Sequence, residues 1–413
     1  MLGHVTVTSF RRAGHAPSLA AGLVHFDVSF MAWVLLGALG AYVASDLGLS
    51  PVQKGLMVAV PPLGGSFWRV LLGSLADRVP LRRLGLVTLG LTLVPLGWGA
   101  VAGGSFGQVL GIGALLGVAG ASFAVALPLV SRWYPPEHQG RALGIAGAGN
   151  SGTIVAALAG PRLAEHVGWH GVFALATIPV ALAWLAFAVL AQEPPKAAIG
   201  GSPGAAGPLT GAGPVRMFAE SDARWLCGLY AVTFGGFVGL SAFLPILFVD
   251  RFGLSKLDAA GLAASCAAAG SLLRPVGGWL ADRCGGARVL GGVLTVVTVL
   301  SLVVAGGPPL SVTSPTLFAA LGALGAGNGA VFQLVPRRFP GNVGAVTGLV
   351  GAAGGLGGFL LPFSLGLLDQ ATGSFGAGFL LFATAAAAAG VAVGSRQRAW
   401  RQAWGVERLE VAA

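Results

Sequence analysis

Acidic residues are scarce in this chain: 14 Asp and Glu stand against 24 Lys and Arg over 413 residues, and charged residues make up only 9% of the total. Paired carboxylates are therefore hard to assemble, no nucleophile–base set stands out, and an enzyme reading has no support. Cysteine is almost absent. Of the three, Cys227 and Cys266 fall inside apolar runs and Cys284 beside a loop, so neither a disulfide framework nor a metal cluster is expected, and no cofactor. Polar surface is the largest deficit. Hydrophobic residues reach 55% with a mean hydropathy of +0.82, too apolar for a globule whose surface must face water.

What is there is a series of long apolar runs. Twelve are found, at roughly 19–45, 52–76, 84–103, 107–131, 141–165, 171–192, 223–249, 258–281, 288–307, 315–336, 343–368 and 374–394. Each is near the ~20 residues that a helix needs to cross ~30 Å of hydrocarbon. Arg11 and Arg12 precede the first run as they would in a cleavable leader, but that run is too long and eleven more follow, so it is expected as a retained span. Basic residues then orient the chain. Eighteen lie at the ends and in one set of alternate connections, and four (Lys54, Arg162, Arg251, Lys256) lie on the other side, which puts both termini in the cytoplasm of a multi-pass protein of the inner (plasma) membrane. The net charge of +10 is thus topology, with no basic soluble face for nucleic acid.

The chain repeats itself. Arg274 follows Arg69 by 205 residues, and the same offset takes Gly73 to Gly278, Asp77 to Asp282, Arg78 to Arg283, Gly120 to Gly325 and Arg132 to Arg337. The expected architecture is all-α, twelve transmembrane helices in two six-helix halves, residues 1–192 and 223–413. Residues 193–222, rich in Pro and Gly, form the expected cytoplasmic linker.

Two arginines sit where charge is costly. Arg69 and Arg274 each lie eight residues before an Asp-Arg pair, about 12 Å of helix, which places both near the middle of the bilayer. Neither can escape by losing its proton. The acids map to the ends of spans, and only Asp27 falls within one, toward its cytoplasmic end. Two permanent positive charges without a fixed anion fit a wet cavity visited by an anionic substrate. Planar guanidinium forks suit an oxyanion such as nitrate, nitrite, phosphate or a carboxylate. The alternative is structural: arginines bonded to helix carbonyls as internal struts.

The stretch GIAGAGNSGT, Gly144 to Thr153, contains a G-x-G-x-x-G, but no strand precedes it, so a dinucleotide site is excluded. Its glycine pairs, Gly144 with Gly147 and Gly149 with Gly152, are expected as helix-packing surface, with Asn150 as the polar exception. The eleventh run is equally Gly-rich in GAVTGLVGAAGGLGGFLLP, Gly344 to Pro362. Asn328, Gln333 and Thr347 are further candidates for a cavity lining.

The loop GSLADRVPLRR (73–83) and its copy GWLADRCGGAR (278–288) resemble the second-to-third-span signature of the major facilitator superfamily, and the Gly-rich fifth and eleventh spans resemble its nitrate/nitrite porter family. The resemblance implies alternating access with nitrate or nitrite held between Arg69 and Arg274, and Asn150, Tyr230, Phe234 and Phe123 around it. At the cytoplasmic ends of helices, Asp77, Arg78, Asp282 and Arg283 are expected to form a conformational latch that holds one state shut until the halves rock. The lack of a midplane carboxylate favours nitrate/nitrite exchange, with proton symport through Asp27 or His25 as the alternative. The expected partners are that anion and the lipid bilayer, with the protein acting as a monomer. Transport of another small anion, phosphate or a carboxylate, and a non-transporting anion sensor stay open as other readings.

Overall fold

The computed structural model describes residues 10, 13–76, 78–193, 214–339 and 343–403. Among them there is no strand. The first half comprises α1 (Ala16–Ala38), α2 (Gly40–Asp46), α3 (Pro51–Leu75), α4 (Leu81–Val101), α5 (Phe106–Gly120), α6 (Phe123–Trp133), α7 (Pro136–Gly147), a 3-10 turn (Ala148–Ser151) and α8 (Gly152–Leu190). The short α9 (Pro214–Phe218) leads into α10 (Ser221–Phe252), α11 (Lys256–Cys284), α12 (Gly286–Ala305), α13 (Leu310–Arg338), α14 (Val343–Thr372) and α15 (Gly376–Ala403). Most of the expected linker, 194–213, lies outside the described residues.

Eleven helical stretches are long and apolar enough to cross a membrane, one fewer than expected. The longest runs 49 residues from Ala142 to Leu190, about 74 Å if straight, more than twice a hydrocarbon core. It is two crossings. Gly168 interrupts it at φ 68°, a left-handed conformation that only glycine adopts without strain. Its partner 205 residues on, Gly373, has φ 69° and separates α14 from α15, so the same turn divides the last two crossings of each half.

The repeat is therefore built into the backbone. Gly48 (φ 59°) and Gly253 (φ 64°) are also 205 apart and make the same tight turn before α3 and α11. Ser50 and Ser255, again one offset apart, then cap those helices: each side-chain oxygen accepts the backbone N–H of the third helical residue, Gln53 or Asp258. At Ser50 the Gln53 side chain returns the bond and Pro51 opens the helix with its φ already set.

Small residues set the packing. Gly64 of α3 lies on Gly117 of α5, and Gly270 of α11 lies on Gly325 of α13, so backbones touch where a Cβ would collide. The halves meet along α3 with α14 and α8 with α11. Glycines of α14 turn to two neighbours: Gly355 to Pro62 and Ser66 of α3, and Gly357 to Ala231 of α10. Gly149 and Gly152 rest on α1 at Phe26 and Asp27, as expected of packing glycines. Gly144 and Gly147 have open space around them, a correction to that reading. The 3-10 turn at Ala148–Ser151 breaks the helix between the pairs, so they no longer share a face.

The halves are also bonded at the end remote from both termini, called distal here. There Lys54 of α3 pairs with both carboxylate oxygens of Asp250 of α10 (2.9 and 2.7 Å). The Val52 N–H donates to Gln370 of α14 (3.3 Å), and the Lys256 ammonium lies 4.9 Å from the Tyr42 ring centre. Behind this clamp is a cavity of about 20 Å³, room for one water, bordered by Val34, Thr153, Ser241 and Ala260 among others.

Candidate functional site

Arg69 is completely buried on α3. Its position follows from a break in the fourth crossing: α5 ends at Gly120, Ala121 and Ser122 make a turn, and α6 starts at Phe123. Across that break the Ala124 N–H bonds to Ala121, so the Gly120 carbonyl is free to accept Arg69 Nε (3.0 Å) and Nη2 (2.8 Å). The third bond crosses between the halves, from Nη1 to the carbonyl of Gly351 on α14 (2.7 Å). Two of the five N–H donors of the guanidinium remain. The strut reading thus holds for part of Arg69: it braces three helices and still presents donors.

Rings enclose it. The Arg69 Cζ lies 4.9 Å from the Trp33 ring centre and 5.1 Å from those of Phe123 and Phe234. Cation–π attraction and charge-assisted hydrogen bonds together offset much of the cost of keeping this charge from water. Phe234 stacks on Tyr230 at 4.8 Å with the planes 6° apart, and Tyr230 meets Phe332 edge-on at 4.9 Å. The wall ends at Arg274, whose Cζ is 5.6 Å from the Phe332 ring and whose guanidinium interacts with the Tyr230 hydroxyl. One aromatic surface therefore joins the two arginines, which lie within Coulombic reach of each other. Among the described residues neither pairs with a carboxylate.

Arg274 is held more loosely. It is half-buried, and where Arg69 is bonded to two carbonyls, Arg274 is held by Tyr230 and Phe332 alone among the contacts described. Asn150 sits in the 3-10 turn, 3% exposed, with its side-chain oxygen unpartnered among the described residues. That turn is tied toward Arg274 through Thr153, which accepts or donates to Ser271 of α11 (3.4 Å), three residues before the arginine.

The structure brings Arg69, Phe123, Phe234, Tyr230 and Arg274 into one surface, with Asn150 on the turn beside it. Sequence reasoning missed Trp33 and Phe332; the signal available was only an aromatic in an apolar run, which reads as packing. The expected latch residues lie elsewhere. Asp77 is outside the described residues. Asp282 faces Arg337 at 3.7 Å, Arg283 covers Trp279 at 4.1 Å, and the Arg78 N–H bonds to Leu75 at the end of α3; each of these contacts stays within one half. Also within one half is His25, wholly buried against Thr88 and Phe187, while the Asp27 carboxylate accepts a bond from Ser151 (2.6 Å).

The family model described as Major Facilitator Superfamily matches residues 21–362. The chain is 38% identical over 379 residues to a Mycobacterium tuberculosis protein named probable nitrate/nitrite transporter NarK2, covering 90% of this chain and 94% of that one. It is 33% identical over 365 residues to the nitrite extrusion protein of Bacillus subtilis, covering 88% and 90%. The chain belongs to the nitrate/nitrite porter family of the major facilitator superfamily. The fold of this porter is shared with a bacterial homolog of the human lysosomal transporter Spinster, solved in an inward-facing and occupied conformation: TM-score 0.72 at 18% identity, over 92% of this chain and 96% of that one. Membership of this superfamily makes the protein a carrier.

Proposed function

We propose that this protein carries nitrate and nitrite across the plasma membrane by alternating access, the halves 1–192 and 223–413 rocking about an anion held between Arg69 and Arg274. The observation that carries this reading is the pair of carboxylate-free guanidiniums at the two ends of one aromatic wall. A flat monoanion lies against such a wall, accepts N–H bonds in its own plane, and screens two like charges from each other. Asn150 supplies an amide to the same anion. With the termini on the cytoplasmic side, the Lys54–Asp250 clamp closes the external end.

Exchange of nitrate for nitrite is the mode this arrangement favours. His25 is enclosed within the first half and Asp27 is engaged by Ser151, and among the described contacts neither reaches the arginines. Purified protein in liposomes preloaded with nitrite is expected to take up labelled nitrate at a rate insensitive to an imposed pH gradient. Uptake that requires the gradient refutes exchange, and inhibition of uptake by phosphate or acetate as strong as by nitrite refutes the substrate assignment.

The clamp makes a separate prediction. Both side chains are partly solvated, 20% and 27% exposed, so the pair contributes at most about 1 kcal/mol to closure, roughly a fivefold population shift. In a Cys284→Ser background, Ser241→Cys behind the clamp is expected to react several-fold faster with an impermeant maleimide when Lys54 is changed to Met. An unchanged labelling rate means that Lys54 and Asp250 do not hold the distal end shut.

A further inference from the structure

The N–H donors of the two arginines do not suffice for every anion assigned to them. Arg69 has two left after its carbonyl bonds, and a guanidinium fork on Arg274 presents two more toward a planar ligand. Four donors match the in-plane lone pairs of the two oxygens of nitrite. Nitrate has a third oxygen, which a clamp of two arginines leaves without a partner.

The structure has an unpaired polar group on the helix that packs against Arg274. Asn328 of α13 is 1% exposed, and its side-chain oxygen has no hydrogen-bond partner among the described residues. An amide this deep is costly to leave unsatisfied, and a half turn, which interchanges its oxygen and nitrogen, sets the NH₂ at the unpaired position, where an anion oxygen can complete it. Three observations put it beside Arg274. The next residue, Gly329, rests on the Arg274 carbonyl so tightly that a Cβ would not fit. Phe332, four residues on and thus on the same helical face, lies over the Arg274 guanidinium. The internal repeat also takes Phe123 to Asn328, since 328 − 205 = 123, and Phe123 stands over Arg69, which the same offset relates to Arg274. At this matched position a phenyl stands over the arginine of the first half, and the second half has an amide instead.

Resting on the nitrate/nitrite reading, we propose that Asn328 is a binding residue that donates its side-chain NH₂ to the third oxygen of nitrate and so sets the preference for nitrate over nitrite.

The test is calorimetric titration of purified protein with sodium nitrate and with sodium nitrite. Asn328→Leu keeps the volume and removes an unsatisfied polar group, so folding is not expected to suffer. Nitrate affinity is expected to fall about tenfold or more while nitrite affinity stays within about twofold, the loss of one hydrogen bond to a charged ligand. Asn328→Thr, which retains a hydroxyl donor, is expected to recover part of the ratio and serves if the leucine variant fails to fold. An equal loss for both anions, or no change in either, overturns the role of Asn328 and leaves the arginine site standing. Failure of the unmodified protein to bind either anion refutes the underlying reading instead, and the assignment of Asn328 falls with it.

Discussion

Arg274→Lys is expected to reduce nitrate exchange in liposomes about a hundredfold while leaving the melting temperature nearly unchanged, whereas Arg69→Lys is expected to lose exchange and melt several degrees lower. The two arginines occupy matched positions, but their surroundings differ. Arg274 is held by Tyr230 and Phe332, without carbonyl partners among the described contacts, so lysine there keeps the charge and forfeits mainly the planar fork offered to the anion. Two charge-assisted hydrogen bonds at roughly 1.5–3 kcal/mol each are enough for a loss of that size. Arg69 also satisfies the Gly120 and Gly351 carbonyls and fills a box of three rings. An ammonium cannot reach both carbonyls from one stem, and its shorter head leaves space among Trp33, Phe123 and Phe234. Uptake measured beside thermal unfolding in detergent separates these outcomes. Full exchange in either lysine variant removes the two-fork site, and an unchanged melting point for Arg69→Lys removes its bracing role.

The arginine pair was legible in the sequence because its cost was legible. A guanidinium midway along an apolar run has few fates, and the offset that repeats one in each half points to a shared central site. The repeat itself was readable from residues 47–50 to Pro135, matched at 252–255 and Pro340, and the backbone extends it through Gly168 and Gly373, where sequence alone showed only two unremarkable glycines. Trp33 and Phe332 were not legible, since an aromatic inside a span carries no mark that distinguishes packing on a neighbour from packing on a charge. The break at Ala121–Ser122, which frees the Gly120 carbonyl for Arg69, follows from tertiary contact and leaves no proline or charge as a sign. The distal clamp was hidden for a different reason. Lys54 and Asp250 were visible as isolated charges near the ends of spans, but their pairing across 196 positions exists only once α3 and α10 are side by side.

The glycines show where pattern and packing part company, and they carry the other large effect. Gly355→Val is expected to abolish exchange without loss of helical content. A Cβ there would collide with Ser66 Oγ and the Pro62 carbonyl, so α14 must move away from α3 and the halves can no longer meet along that seam. The Ser66 hydroxyl bonds to the Ala352 carbonyl at 2.8 Å and Arg69 to Gly351, so the same displacement pulls apart both bonds between α3 and α14 beside the site. Overpacking of this kind costs about 1–3 kcal/mol where neighbours can yield, and these neighbours include the Pro62 backbone, which yields least. Gly144→Ala is the matched comparison. It lies in a Gly-rich stretch of the same appearance, yet no atom stands within 4 Å of its added methyl, so transport should be unchanged and stability equal or slightly higher from the gain in helix propensity. Circular dichroism, melting and liposome exchange on both variants decide the matter. Active Gly355→Val would mean that the α3–α14 seam does not need to close during transport, and inactive Gly144→Ala would mean that the open space beside it is filled in another state of the cycle.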